Sequence, residues 1–245
     1  MHDLWLLIII GFCATFIGTL AGSGGLIGMP SMLLIGMPIH QAIAAAKFAN
    51  IFSSFSSFIV LLKDKTITLK SVINILPVAL LGGATGGIIA NLISEQIMTV
   101  IAVILLSFAL ILTLIKKPKE ANEENIKIPK SIYPILYGIG VYDGMFGPGQ
   151  ATLLMYTYLH KGFSYLKALA YSRFQTFISC FGSIFSYVAA GNFNVEASLV
   201  YVIGSVLGAQ IAVRLVHRIS AVHLKRLLNI ITVVLIVQLS LRIII

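Results

Sequence analysis

Apolar runs about as long as a bilayer is thick recur along this chain, at residues 4–20, 42–62, 72–93, 97–115, 132–159, 168–190, 197–213 and 227–245. Most reach the roughly 17–25 residues that a spanning helix needs. Charged residues are only 10% of the 245, against roughly 25% in a domain that must face water. These features predict an all-α polytopic membrane protein whose surface partner is the lipid bilayer.

Charge and cysteine usage exclude other classes. The formal net charge of +9 lies mostly in short loops between apolar runs, where positive charge sets membrane orientation, so nucleic acid is not an expected partner. The opening MHDLWLLIIIGF carries no Lys or Arg, unlike a cleaved secretory signal, and 4–20 is read as part of the fold. Cys13 and Cys180 both lie in apolar segments and read as buried packing residues, with no disulfide framework and no metal-ligand spacing. His40, His160, His217 and His223 fall near expected helix ends and read as interfacial. No metal and no cofactor is expected, and a homo-oligomer is as compatible with the sequence as a monomer.

The chain is written twice. At a constant offset of 126, AAAKFANIFSSFSSF lies over AYSRFQTFISCFGSI, with Phe48 on Phe174, Ser53 on Ser179, Phe55 on Phe181 and Ser57 on Ser183. Lys47 falls on Arg173. The register extends to Gly18 on Gly144, Gly36 on Gly162, Gly82 on Gly208 and Ser94 on Ser220. The expected organisation is a first transmembrane repeat at 1–115, a charged linker at 116–130 (KKPKEANEENIKIPK) and a second repeat at 131–245.

Equivalent loops carry opposite charge character. Residues 63–70 hold Lys63, Lys65 and Lys70, whereas 189–197 holds Glu196 and no base; 94–96 holds Glu95, whereas 214–226 holds Arg214, Arg218, Lys225 and Arg226. By the positive-inside rule these loops are expected on opposite sides, which would make the repeats inverted and require an odd number of crossings in each; two parallel four-helix halves are the alternative. Clustered Gly with Pro breaks helices. If GTLAGSGGLIGMP (18–30) and DGMFGPGQAT (143–152) each turn their run into a hairpin, every repeat becomes a Gly-broken hairpin followed by three transmembrane helices. The basic loops and 116–130 then fall on the cytoplasmic side of the cell membrane.

Broken backbone at membrane depth belongs where it lines a cavity, and the N–H groups opening a half-helix favour anions. Gly22, Ser23, Gly24 and Gly25, with Gly147, Gly149 and Gln150, are therefore candidate binding residues. A lysine inside an apolar run costs roughly 2.5–3.5 kcal/mol to insert. Lys47 could snorkel, pair with Asp143, or meet an anion. Asp143 is the one acid inside an apolar run away from the termini, while Lys47 and Arg173 are two cations, and that surplus favours an anion between the repeats. Asp143 is read as an ion-pair partner or a proton-coupling acid. Asn50 and Gln175 are polar neighbours that could line the cavity. Ser53, Ser54, Ser56 and Ser57 after Lys47, and Thr176, Ser179 and Ser183 after Arg173, could donate beside each cation, or the serines merely pack and bond back to their own helix.

GTLAGSGGLIGMPSMLLIGMPIHQAIAAAKF resembles the first signature of the sulfite exporter TauE/SafE family, and DGMFGPGQATLLMYTYLHKGFSYLKALAYSRF is similar to its second. The resemblance covers essentially the whole chain and implies a permease for small sulfur-containing anions such as sulfite or organosulfonates, in the export direction. Ala21 and Ser23 stand where that family has glycines, and Gln150 and Ala151 fill the small positions of the second signature. Side-chain donors at Ser23 and Gln150 could shift ligand preference. The expected activity is secondary transport by alternating access around a midplane anion site. An anion channel and a transporter of a small carboxylate are the alternatives. An enzyme would need a nucleophile–base pair or convergent His and acids, which the sequence does not offer, and no P-loop motif points to ATP.

Overall fold

The computed structural model describes residues 2–21, 24–115, 128–215 and 233, and among these it is helical with no strand. The order is α1 (His2–Ala21), α2 (Gly25–Leu34), α3 (Ile39–Lys63), the short α4 (Leu69–Val72), α5 (Leu76–Leu92), α6 (Glu95–Ile115), α7 (Tyr133–Met145), α8 (Gln150–His160), α9 (Tyr165–Ala189) and α10 (Val195–Leu215). Among the described residues three stretches, Ile39–Lys63, Leu69–Leu92 and Val195–Leu215, are long and apolar enough to cross a membrane. The expected last helix, 227–245, apart from residue 233, and most of the linker lie outside the described residues.

Local chemistry explains the boundaries. A proline stands in the first turn of α5 and of α7, where its missing N–H has no partner to lose. The α2 and α8 helices stop at Gly36 and Gly162, both at φ +90°, with paired bonds back to the last turn: Gly36 N to Leu33 O and Met37 N to Met32 O, then Gly162 N to Leu159 O and Phe163 N to Tyr158 O. The α3 helix ends the same way on Lys65 at φ +54°, and α9 on Gly191 at φ +74°. Glu95 accepts the free N–H of Ile39 at 2.9 Å, tying the start of α6 to the start of α3.

The run 132–159 is divided between α7 and α8 by a loop at 146–149, and the first run breaks before Gly25. At 1.5 Å per residue α2 and α8, with 10 and 11 residues, are about 15 Å long, half a bilayer's hydrocarbon thickness. The α2 helix doubles back along α1: Gly24 lies against Gly18 and Ala14, and Gly28 against Ala14 one turn further from the tip.

Small residues set the helix packing. In the GGATGG of α5, Gly82 and Gly86 lie against Tyr137, Gly140 and Val141 of α7, while Gly83 and Gly87 lie against Ser179 and Ser183 of α9. On α10, Gly204 and Gly208 lie against Ile8 and Phe12 of α1. Residue numbers rise together in each pair, so α5 runs parallel to α7 and α9, and α10 parallel to α1. By contrast Phe55 meets Phe177 and Phe58 meets Phe174, so α3 and α9 run antiparallel. Large apolar side chains such as Leu81, Ile88, Ile104, Phe185 and Leu199 stand exposed around these helices, a surface suited to lipid. Cys13 is exposed too, contrary to its expected burial, because its face of α1 points away from α10 and α2; Cys180 is buried. His40, in the first turn of α3, is buried, with Nε2 3.0 Å from Ala90 O.

Candidate functional site

The two broken runs bring their tips together. Gly25, opening α2, packs so closely on Pro148, before α8, that a Cβ there would come within 2.8 Å of the proline Cα. Beside this contact lies a cavity of about 70 Å³. At roughly 10–15 Å³ per water on the same measure, it has room for about five to seven waters, or a small anion.

Each wall has a local cause. The α7–α8 loop turns through Gly147 at φ +103° and Gly149 at φ +82°, left-handed conformations that a side chain would oppose. Tyr142 donates its hydroxyl to Pro148 O and holds the loop down. Tyr187 donates to the carbonyls of Gly144 at 3.0 Å and Met145 at 3.2 Å, acceptors that α7 leaves unused where it ends. The last turn of α1 also leaves free carbonyls. Arg173 takes that of Gly18 through Nη2 at 2.7 Å, and Tyr165 takes that of Leu20 at 2.5 Å. Both helix N-termini line the cavity, through Gly24 and Gly25 of one tip and Gly149, Gln150 and Ala151 of the other. Helix N-termini carry unpaired N–H donors and a positive dipole end.

The charges are unevenly matched. Lys47 is 1% exposed, and its Nζ lies 2.7 Å from Oδ1 of Asp143, itself 1% exposed. This burial and pairing remove snorkelling as an account of Lys47. The other carboxylate oxygen accepts from Ser179 Oγ and from Cys180 Sγ at 3.6 Å. Among the described residues Arg173, 4% exposed, has no acidic ion-pair partner, and its Nε has no hydrogen-bond partner. The residue that the offset of 126 places opposite Asp143 is Ile17, so the acid has no twin.

Of the residues singled out from sequence, Lys47, Asn50, Arg173, Asp143, Gly24, Gly25, Gly147, Gly149 and Gln150 all line this one cavity. Gly22 and Ser23 lie outside the described residues. Gln175 does not line it: its Nε2 donates to Leu136 O at 2.9 Å and its Oε1 accepts from Tyr158 at 3.1 Å. Two residues past Arg173 on a helix points some 200° away, so the pair cannot share a face. The residue that does share it is Thr176, whose hydroxyl accepts from Gln150 Nε2 at 3.2 Å and donates to Ser172 O at 2.8 Å. The offset itself carried the signal, since it sets Thr176 opposite Asn50. Thr15 and Tyr201 also line the cavity, brought by α1 and α10. Several helix serines bond back to their own backbone instead, as Ser57 does to Ser53 O at 2.8 Å and Ser183 to Cys180 O at 3.0 Å.

Comparison with known proteins agrees with the sequence signatures. A "Probable membrane transporter protein ORF9" from a Sinorhizobium species is 28% identical over 97% of this chain and 92% of its own length. A "Probable membrane transporter protein" of Haemophilus influenzae is 28% identical over 86% of this chain and 84% of its own. The "Probable membrane transporter protein YfcA" of Escherichia coli is 24% identical over 87% and 80%. These names support a membrane transporter. The family model described as "Sulfite exporter TauE/SafE" matches residues 7–239, and the chain belongs to that family.

Proposed function

We propose that the protein is a secondary transporter of small oxyanions, built from inverted repeats at 1–115 and 131–245 that expose one midplane site alternately to each side. Arg173 is the observation that carries this proposal: a buried guanidinium facing a cavity, with no carboxylate paired to it among the described residues, beside a Lys47–Asp143 pair that is already neutral. A buried cation without a counter-charge is costly, and a small anion in the cavity removes that cost. First-turn N–H groups of α2 and α8 add donors to it.

Inversion is supported by helix bounds and directions. Moved along by 126, Ile39–Lys63 falls on the bounds of α9, and Gly25–Leu34 within one residue of those of α8. Helices α3 and α9, equivalent on this mapping, run antiparallel, as inversion demands. Parallel packing of α10 on α1 is matched by that of α5 on α7, which is the same contact with the halves exchanged. The basic loops and the linker 116–130 then lie in the cytoplasm. The family's description as a sulfite exporter supports sulfite as the anion and export as the direction.

The test is equilibrium binding of sulfite, small sulfonates and small carboxylates to the purified full chain, and to Arg173→Gln. Saturable binding that the substitution weakens at least tenfold, about 1.4 kcal/mol, supports the proposal. Equal binding by the folded variant, or none by the parent protein, counts against it. In proteoliposomes, saturable exchange is expected; a conductance that rises linearly with the anion would mark a channel.

A further inference from the structure

Resting on that anion site, we infer that Asp143 sets the charge the site accepts: a monoanion binds with Asp143 ionised, and a dianion binds only together with one proton, taken up on Asp143. The inference comes from counting buried charges. Lys47, Arg173 and Asp143 line the same cavity and are each at most 4% exposed. The helix ends that meet there add two positive half-charges, from the starts of α2 and α8, and two negative ones, from the ends of α1 and α7, which cancel. The side chains therefore leave one net positive charge. A sulfonate or hydrogen sulfite neutralises it. A dianion of the same shape leaves a net negative charge in a buried site, where uncompensated charge is strongly disfavoured.

A proton on Asp143 restores the balance, and its surroundings can take that proton. As a carboxylate Asp143 accepts from Lys47, Ser179 and Cys180, a set of donors only. Protonated, it needs an acceptor. Ser179 Oγ becomes one by turning its own hydrogen to Thr176 O, which already lies 3.3 Å away. Lys47 is then released from Asp143 to serve the anion. It is already against the cavity's floor, with Nζ 2.5 Å from where a Cβ on Gly147 would sit. The titratable groups around Asp143 are Lys47 from α3, Cys180 and Tyr187 from α9, Tyr142 on α7 itself, with Arg173 and the Tyr201 hydroxyl of α10 around the cavity. Helices α2 and α5 carry no titratable side chain. Thiols, phenols and guanidinium groups titrate above neutral pH in water, which leaves Asp143 as the proton's destination.

Methanesulfonate and sulfate test this, because they share a tetrahedral shape, differ by one charge, and each keep its charge between about pH 5 and pH 8. Calorimetric titration of the full chain in two buffers of different ionisation enthalpy counts the protons taken up. About one proton per sulfate and none per methanesulfonate is the expected result, with sulfate affinity rising about tenfold for each pH unit lowered. In Asp143→Asn the site carries two positive charges at all pH. Sulfate should then bind without proton uptake and gain at least tenfold on methanesulfonate. If that variant does not fold, the proton count on the parent protein still decides. Sulfate bound with no proton uptake, or equal uptake for both anions, overturns the inference and leaves the anion site standing. Binding of neither anion overturns the site itself, and the inference with it.

Discussion

The ring of Phe58 on α3 lies 5.1 Å from that of Phe174 on α9, and one turn towards the start of α3 Phe55 lies 5.0 Å from Phe177. Aromatic side chains thus zip the two 25-residue helices together in opposite directions, with the cations of both halves brought to a common cavity.

That antiparallel crossing predicts a labelling pattern. With Cys13 and Cys180 replaced by serine, Lys65→Cys and Asn194→Cys should react with an impermeant thiol reagent from opposite faces of the membrane, Lys65→Cys from the cytoplasmic one. Labelling of both from one face would exclude the inverted arrangement.

The Lys47–Asp143 pair should behave as one energetic unit. Lys47→Met or Asp143→Leu alone leaves a buried charge without its partner and should lower stability by about 3–5 kcal/mol. The double variant should recover most of that loss. Thermal unfolding of the four proteins in detergent gives the coupling directly, and additive losses would show that the pair is not a unit.

Helix spacing makes a second stability prediction. A methyl group on Gly83 would collide with the backbone of Ser179, so Gly83→Ala should destabilise by about 1–3 kcal/mol. Gly138 has no atom of the described residues within 4 Å of the same position, and Gly138→Ala in the middle of α7 should be neutral or stabilising by up to about 1 kcal/mol. The two unfolding midpoints, measured side by side, check the contrast.

Lys65 caps α3 in a left-handed conformation at φ +54°, the role that Gly191 fills for α9. Lysine there is strained by roughly 1 kcal/mol relative to glycine. Lys65→Gly should therefore raise the unfolding midpoint, whereas Gly191→Lys should lower it.

Much of this architecture is legible in the order of the amino acids, because the signals are local and written twice. The breaks before Gly25 and at 146–149 follow from clustered glycine, and the stops at Gly36 and Gly162 from single glycines at matched positions. Lys47, Arg173 and Asp143 stand out because charge is rare in apolar runs. Tyr201 and Thr15 give no such signal. They reach the cavity only because α10 packs on α1 and α2 folds back, contacts between residues far apart in sequence. Gln175 misleads for a different reason: polarity marks a buried residue that needs partners, and Leu136 and Tyr158 supply them away from the cavity.

The separation of 96 residues between Lys47 and Asp143 also has a consequence for biosynthesis. The α3 segment leaves the ribosome and enters the membrane before its counter-ion has been translated. At roughly 5–20 residues per second, the lysine waits about 5–20 seconds for α7. During that interval the nascent chain carries the roughly 2.5–3.5 kcal/mol insertion penalty of a central lysine, which the apolar length of α3 must outweigh by itself. Shortening or polarising α3 should therefore show first as failed membrane integration of the first half, at a stage when no substrate site yet exists.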